Sequence, residues 1–202
     1  MQKLTEGIRY ARHTPEIIMV LLVVATIGTF GYNFTVVLPL IGDQVLKTDA
    51  VGFGALWSFL GIGSLVAAVI TAYARKVTLS RLIAAAAAFS VLFCLLAVSR
   101  NYALSAFLLI FVGFSGIIFA TASSTLLQLV APDELRGRVM SLQSLLFMGS
   151  TPVGGFLIGT LSQLLSVEVA LLLCGVLCIT GVGATLLYQR SHKVAEAPQP
   201  TG

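Results

Sequence analysis

Six stretches of this chain run for twenty or more residues with no charged side chain deep in their interior. They cover residues 16–41, 51–74, 79–98, 103–130, 139–164 and 167–188. A helix rises about 1.5 Å per residue, so about 20 residues cross the ~30 Å hydrocarbon layer of a bilayer. A lipid-exposed backbone must satisfy its own hydrogen bonds, and no segment shows the alternation of a barrel strand. The expected fold is therefore all-α, a polytopic membrane protein of six transmembrane helices. Composition agrees: 57% of residues are hydrophobic and 10% charged, against roughly a quarter charged in soluble domains. The first run is too long for a signal peptide, and five more follow it. Residues 1–15 read as a linker-like segment, 16–188 as the bundle, and 189–202, ending in AEAPQPTG, as a disordered tail.

Six crossings divide the polar segments between two sides. Lys3, Arg9, Arg12, Arg75, Lys76, Arg81, Arg136, Arg138, Arg190 and Lys193 fall on one side, Lys47 and Arg100 on the other. Basic residues in short loops mark the cytoplasmic face, so both termini are expected there. The net charge of +4 is spread between apolar runs instead of clustered on one polar element, which argues against nucleic acid.

The charged stretch APDELRGRV, residues 131–139, reads as a cytoplasmic hairpin between the fourth and fifth helices. Pro132 suits a first helical turn, where Asp133 and Glu134 complement the positive end of the dipole. Arg136 and Arg138 can snorkel to headgroups or bond open carbonyls at a neighbouring helix end. A plain solvated loop with orienting arginines is the competing reading.

Polar groups at membrane depth face protein or a water-filled cavity. Thr26, Thr29 and Asn33 share one face of the first helix at i, i+3 and i+7, with Tyr32 adjacent. Thr121, Thr125 and Gln128 repeat that spacing on the fourth, and Ser144, Met148 and Thr151 on the fifth. Serine and threonine can bond their own helix, whereas an amide is harder to satisfy locally, so Asn33 stands out. Phe30 and Phe34 beside it read as packing. Small residues recur as Gly116, Ala120 and Ser124 on the fourth helix and Gly61, Ser64, Ala68 and Ala72 on the second, which predicts close helix contact. In GSTPVGGFLIG, residues 149–159, Pro152 can kink the fifth helix while Gly154, Gly155 and Gly159 permit close approach.

Catalysis and metal binding find no support. No nucleotide-binding glycine loop and no protease constellation occurs, and Cys94, Cys174 and Cys178 lack histidine or carboxylate companions. No cofactor and no metal is expected. Nor does any span carry a central carboxylate or histidine, so a proton-coupling residue would have to lie elsewhere.

The segments EGIRYARHTPEI, residues 6–17, and PDELRGRVMSL, together with the glycine and proline pattern at 149–159, resemble the second half of a major facilitator superfamily transporter. The likeness runs over about residues 6–190 and is nearest the drug and siderophore exporter branch, enterobactin exporter-like. Residues 74–81, ARKVTLSR, keep the basic residues of the family's loop motif but lack its glycine and aspartate, so a charge-relay gate is not expected there. The resemblance implies six helices arranged as two inverted three-helix repeats, with the first and fourth lining a central cavity. On that basis Thr29, Tyr32, Asn33, Thr121, Thr125, Gln128, Ser144 and Thr151 become candidates to line the solute path. Arg136, Arg138 and Asp133 become candidates to brace helix ends in one state of the cycle and release them in another.

It also implies export of a small organic solute by alternating access, from a bacterial inner membrane. Six helices make one half of such a transporter. The other half is then missing through truncation, separately encoded, or replaced by a second copy of the chain. A start inside the linker-like segment makes truncation the plainest expectation. The alternative is a non-transporting remnant or an accessory protein.

Overall fold

A computed structural model describes residues 14–73 and 77–195, with side chains described as far as Gln189. The linker-like segment before Thr14, the loop residues Arg75 and Lys76, the end of the tail, and the side chains of Arg190, His192 and Lys193 lie outside the described residues.

The first span comprises α1 (Pro15–Phe30) and α2 (Phe34–Leu40), which continues through a π-helical turn at Ile41–Val45. Then follow α3 (Ala50–Ala72), α4 (Leu79–Val98), α5 (Tyr102–Val130), α6 (Asp133–Leu164) and α7 (Val167–Ala195). Six helical segments are long and apolar enough to cross a membrane, and no strand forms among the described residues. Local signals set the starts. The Asp49 carboxylate accepts from the Gly52 amide at 2.8 Å to begin α3. Thr78 accepts from the Arg81 amide to begin α4. The Asn101 carbonyl oxygen accepts from Ala103 and Leu104 to begin α5. Each side chain fills an amide that a helix start leaves open.

Three expectations need correction. The first span is not one rod: α1 stops at Phe30, and Gly31, Tyr32 and Asn33 separate it from α2. Thr26 and Thr29 therefore share a helix face that Asn33 does not continue. Glycine is a weak helix former, and the Asn33 amide bonds back to the Thr29 carbonyl left open where α1 ends instead of capping α2. Second, residues 131–138 are not a loop. Only Ala131 and Pro132 leave the helix, because proline followed by two acids is itself a strong helix start. At 32 residues α6 is about 48 Å long, more than a hydrocarbon layer needs, so its charged first turns reach past it. Third, residues 189–195 belong to α7 and not to a tail, no proline occurring before Pro198.

The spans pair in a way that survives exchanging the first three for the last three. The second packs most extensively on the fourth, and correspondingly the fifth on the first. The third packs on the fourth as the sixth does on the first, and the third and sixth meet each other. This is the pattern of two inverted three-helix repeats. Each leading pair is brought together by glycines from both partners. A Cβ on Gly63 would strike the Ile110 carbonyl, and one on Gly113 the Leu60 carbonyl. At the equivalent crossing, a Cβ on Gly154 would strike the Thr29 carbonyl and one on Gly28 would meet the Ser150 hydroxyl. The helices of the first pair run side by side in the same direction, since the Tyr102 hydroxyl donates to the Gly52 carbonyl at 2.8 Å, eleven residues before Gly113 and Gly63 respectively. Gly61, singled out by its spacing, faces open space. The contact surface lies two residues further on, because small residues recur on more than one face of α3.

Candidate solute site

Between α5 and α6 lies a cavity of about 260 Å³ lined by Ala120, Ser123, Ser124, Met140, Gln143, Ser144, Phe147 and Met148. Gln143 is about 15 Å along α6 from its start, within the apolar part of the bundle. It is buried, and its Nε2 donates to the hydroxyls of both Ser123 and Ser124 at 3.1 Å. Ser123 in turn donates to the Ala120 carbonyl at 2.9 Å. An amide and two hydroxyls thus converge where apolar side chains surround them, giving the cavity a neutral hydrogen-bonding wall and a flexible methionine wall. Sequence spacing picked out Ser144 and Met148 but missed Gln143, Ser123 and Ser124. The available signal was Gln143 itself, an amide inside an apolar span on the helix that follows the serine pair.

Phe147 joins this cavity to the break in the first span. Its ring meets Tyr32 edge-on with centroids 5.0 Å apart, and Tyr32 stacks on Phe89 at 5.8 Å and meets Phe34 edge-on at 5.6 Å. The Tyr32 ring also lies against Gly116, where a Cβ would come within 3.3 Å of it, so this glycine admits the tyrosine. Asn33 is fully buried. Its Nδ2 donates to the Thr29 carbonyl at 2.7 Å, one of those left open where α1 ends, while Oδ1 has no hydrogen-bond partner among the described residues. The amide is thus satisfied locally on one side and orphaned on the other. Gly154 permits this contact, because a Cβ there would also run into the Asn33 amide. Gly155 packs at ordinary distance on Val36, and Gly159 faces open space.

The remaining candidates are dispersed. The hydroxyls of Thr29 and Thr151 bond carbonyls of their own helices, at 2.7 Å to Ala25 and 3.0 Å to Phe147. Thr121 and Thr125 line a separate hollow between α3 and α5, on another face of α5 from Ser123 and Ser124. The Gln128 side chain is exposed. Pro152 sits inside α6 on an exposed face and removes one amide from the helix ladder.

At the end of the bundle that carries the basic segments, Arg136 reaches back across the Ala131–Pro132 corner. Its Nε donates to the Gln128 carbonyl at 3.0 Å, and Nη2 pairs with Asp133 at 2.7 Å. It therefore closes the C-terminal end of α5 from the first turn of α6, while Arg138 lies partly buried on the same turn. At the opposite end Arg100 pairs with Glu168 at 3.4 Å, tying the loop after α4 to the start of α7.

The family model described as transmembrane secretion effector, of the major facilitator type, matches residues 1–200. No curated protein and no solved structure matches the chain. Six apolar spans, the exchangeable pairing of their two halves and this match over nearly the whole length agree, and the chain belongs to the major facilitator-type transmembrane secretion effectors, a family of multi-pass membrane transporters.

Proposed function

We propose that this chain exports a small organic solute from a bacterial cell by alternating access, as one six-helix half of a transporter. The cavity between α5 and α6 is its share of the solute site. Ser123, Ser124, Gln143 and Ser144 contact the polar part of the solute, and Phe147, Met140 and Met148 its apolar part.

The observation that carries this reading is the outer face of α6. Five of its 32 residues are buried, its mean hydropathy of 1.4 is the lowest of the six spans, and its exposed residues mix Ser144, Thr160 and Gln163 with Met148 and Phe156. A long, little-buried and mixed polar and apolar face of this kind suits another protein and a wet cavity better than lipid alone, since the Gln163 amide in particular finds no partner in hydrocarbon. A second six-helix bundle, whether separately encoded or another copy of this chain, supplies both by enclosing a wet cavity against α6. The basic end then faces the cytoplasm, and both termini with it.

The test is reconstitution. Proteoliposomes are made with the chain alone and with the chain plus a matching N-terminal six-helix half, and efflux of a panel of amphipathic fluorescent dyes is followed. Efflux in either arrangement, abolished by Gln143→Leu at equal protein level, supports the reading. Absence of dye movement in both makes the chain a non-transporting remnant or accessory protein.

A further inference from the structure

Five consecutive alanines, Ala84 to Ala88, leave one flank of α4 with nothing longer than a methyl group. Facing them, α5 presents Phe111, Phe114 and Ile118. The result is a furrow of about 510 Å³ that begins at Arg81 and runs past Ala84 and Ala88 to Leu92. Its one lining hydroxyl, Ser115, donates to the Phe111 carbonyl of its own helix at 2.7 Å. From Arg81 and Ile118, which border both spaces, a second hollow of about 210 Å³ continues to Thr71 of α3 and to Thr121 and Thr125 of α5. The groove is therefore apolar along its length and carries at one end a guanidinium and three threonines, of which Thr71 and Thr121 donate their hydroxyls to carbonyls of their own helices.

That end coincides with the membrane boundary. Arg81 is the third residue of α4, exposed, and the helix begins at Leu79 with its positive dipole end toward the same place. An apolar furrow at membrane depth below a cationic, hydroxyl-bearing rim matches a molecule with a hydrocarbon chain and an anionic head. A zwitterionic head would bring its own cation against Arg81, and a free anion would leave the furrow unfilled.

We propose that this groove is a binding site for an anionic phospholipid. The phosphodiester sits at Arg81 with the Thr125 hydroxyl as its second donor, and one acyl chain lies along the alanine floor between α4 and α5. This site rests on the membrane-spanning bundle alone and not on the transport reading, so either stands if the other fails.

Native mass spectrometry of the purified chain in detergent, with phosphatidylglycerol and phosphatidylcholine of identical acyl chains, tests it. Phosphatidylglycerol is expected to be retained about fivefold or more over phosphatidylcholine, the contribution of one basic residue near an anionic head. Arg81→Gln should bring the two to parity without changing elution or helical circular dichroism. Ala88→Phe, which fills the furrow from an exposed position, should lower retention of both lipids. Inorganic phosphate and glycerol phosphate should not displace the bound lipid. Equal retention of the two lipids by the wild type, an unchanged preference in Arg81→Gln, or displacement by inorganic phosphate would each overturn the proposal. Should Ala88→Phe not accumulate, the Arg81→Gln comparison decides by itself.

Discussion

Replacing Gly154 by alanine adds one methyl group where α6 crosses α1, and the atom it meets is the Thr29 carbonyl, part of a backbone that cannot turn aside. Overpacking of this kind costs about 1–3 kcal/mol. The new methyl also lies against the Asn33 amide, whose bond to Thr29 contributes about 1 kcal/mol when intact. Opposing both, alanine favours a helix interior over glycine by about 1 kcal/mol. The sum is a net destabilisation of about 1–3 kcal/mol. Gly159→Ala supplies the control, five residues along the same helix with open space around it. There only the propensity gain operates, and stability should rise by up to about 1 kcal/mol. The two variants thus differ by at least about 1 kcal/mol, which for a chain of this size is roughly 2–4 °C of melting temperature per kcal/mol. Thermal unfolding in detergent, followed by circular dichroism, reads the gap directly. Gly113→Ala should melt early as well, since its methyl would meet the Leu60 carbonyl. If Gly154→Ala and Gly159→Ala melt together, the backbone contact is absent and the pairing of the first and fifth spans is wrong.

Gln143→Leu removes the donor to the Ser123 and Ser124 hydroxyls, of which Ser123 keeps its own bond to the Ala120 carbonyl, and should cost about 1 kcal/mol by the same melting assay, with a larger loss of dye efflux than of protein level. Asn33→Ala should lower transport by a completed transporter more than it lowers the amount in the membrane; normal transport at normal levels removes Asn33 from the mechanism. Arg136→Gln breaks an exposed ion pair and one bond to the Gln128 carbonyl, so a stability loss under about 1 kcal/mol is expected, together with an altered inward-to-outward balance measured by accessibility labelling. A reporter active only outside the cell, fused to either terminus, should stay silent; activity at both ends would reverse the assigned orientation, and activity at one alone would refute the six crossings.

The spans were legible because apolar length and charge distribution are properties of composition along the chain. Their ends were less so: Asp133 to Arg138 carry charge that resembles a loop, yet Pro132 and the two acids start a helix immediately. The break at Gly31 was hidden because Thr26, Thr29 and Asn33 satisfy a helical spacing whether or not the helix continues. Facing was hardest to read. In a water-soluble helix, polarity tells inside from outside, but in lipid both faces are apolar and small residues occur on each. Gly61 and Gly63 look alike in sequence, and only the position of Ile110 distinguishes them. For the same reason the spacing pointed to Thr121 and Thr125 while Ser124 read as a packing residue, although it is Ser123 and Ser124 that border the cavity against α6.

The two glycine crossings hold α3 to α5 and α1 to α6 at backbone distance, and neither pair can slide without carbonyl meeting carbon. Between α5 and α6 the contact is slight by comparison, and Gln143 with its two serines spans the gap. With α4 added to the first pair and α7 to the second, the two groups meet most extensively where α4 packs on α7, with Gly175 close against Cys94, and on the α5–α6 side of the same seam Gln143 is the hydrogen-bonded clasp. The seam is therefore closed on one side and thin on the other, and the thin side runs through the cavity itself. A ligand that competes for the clasp therefore loosens the joint that encloses it.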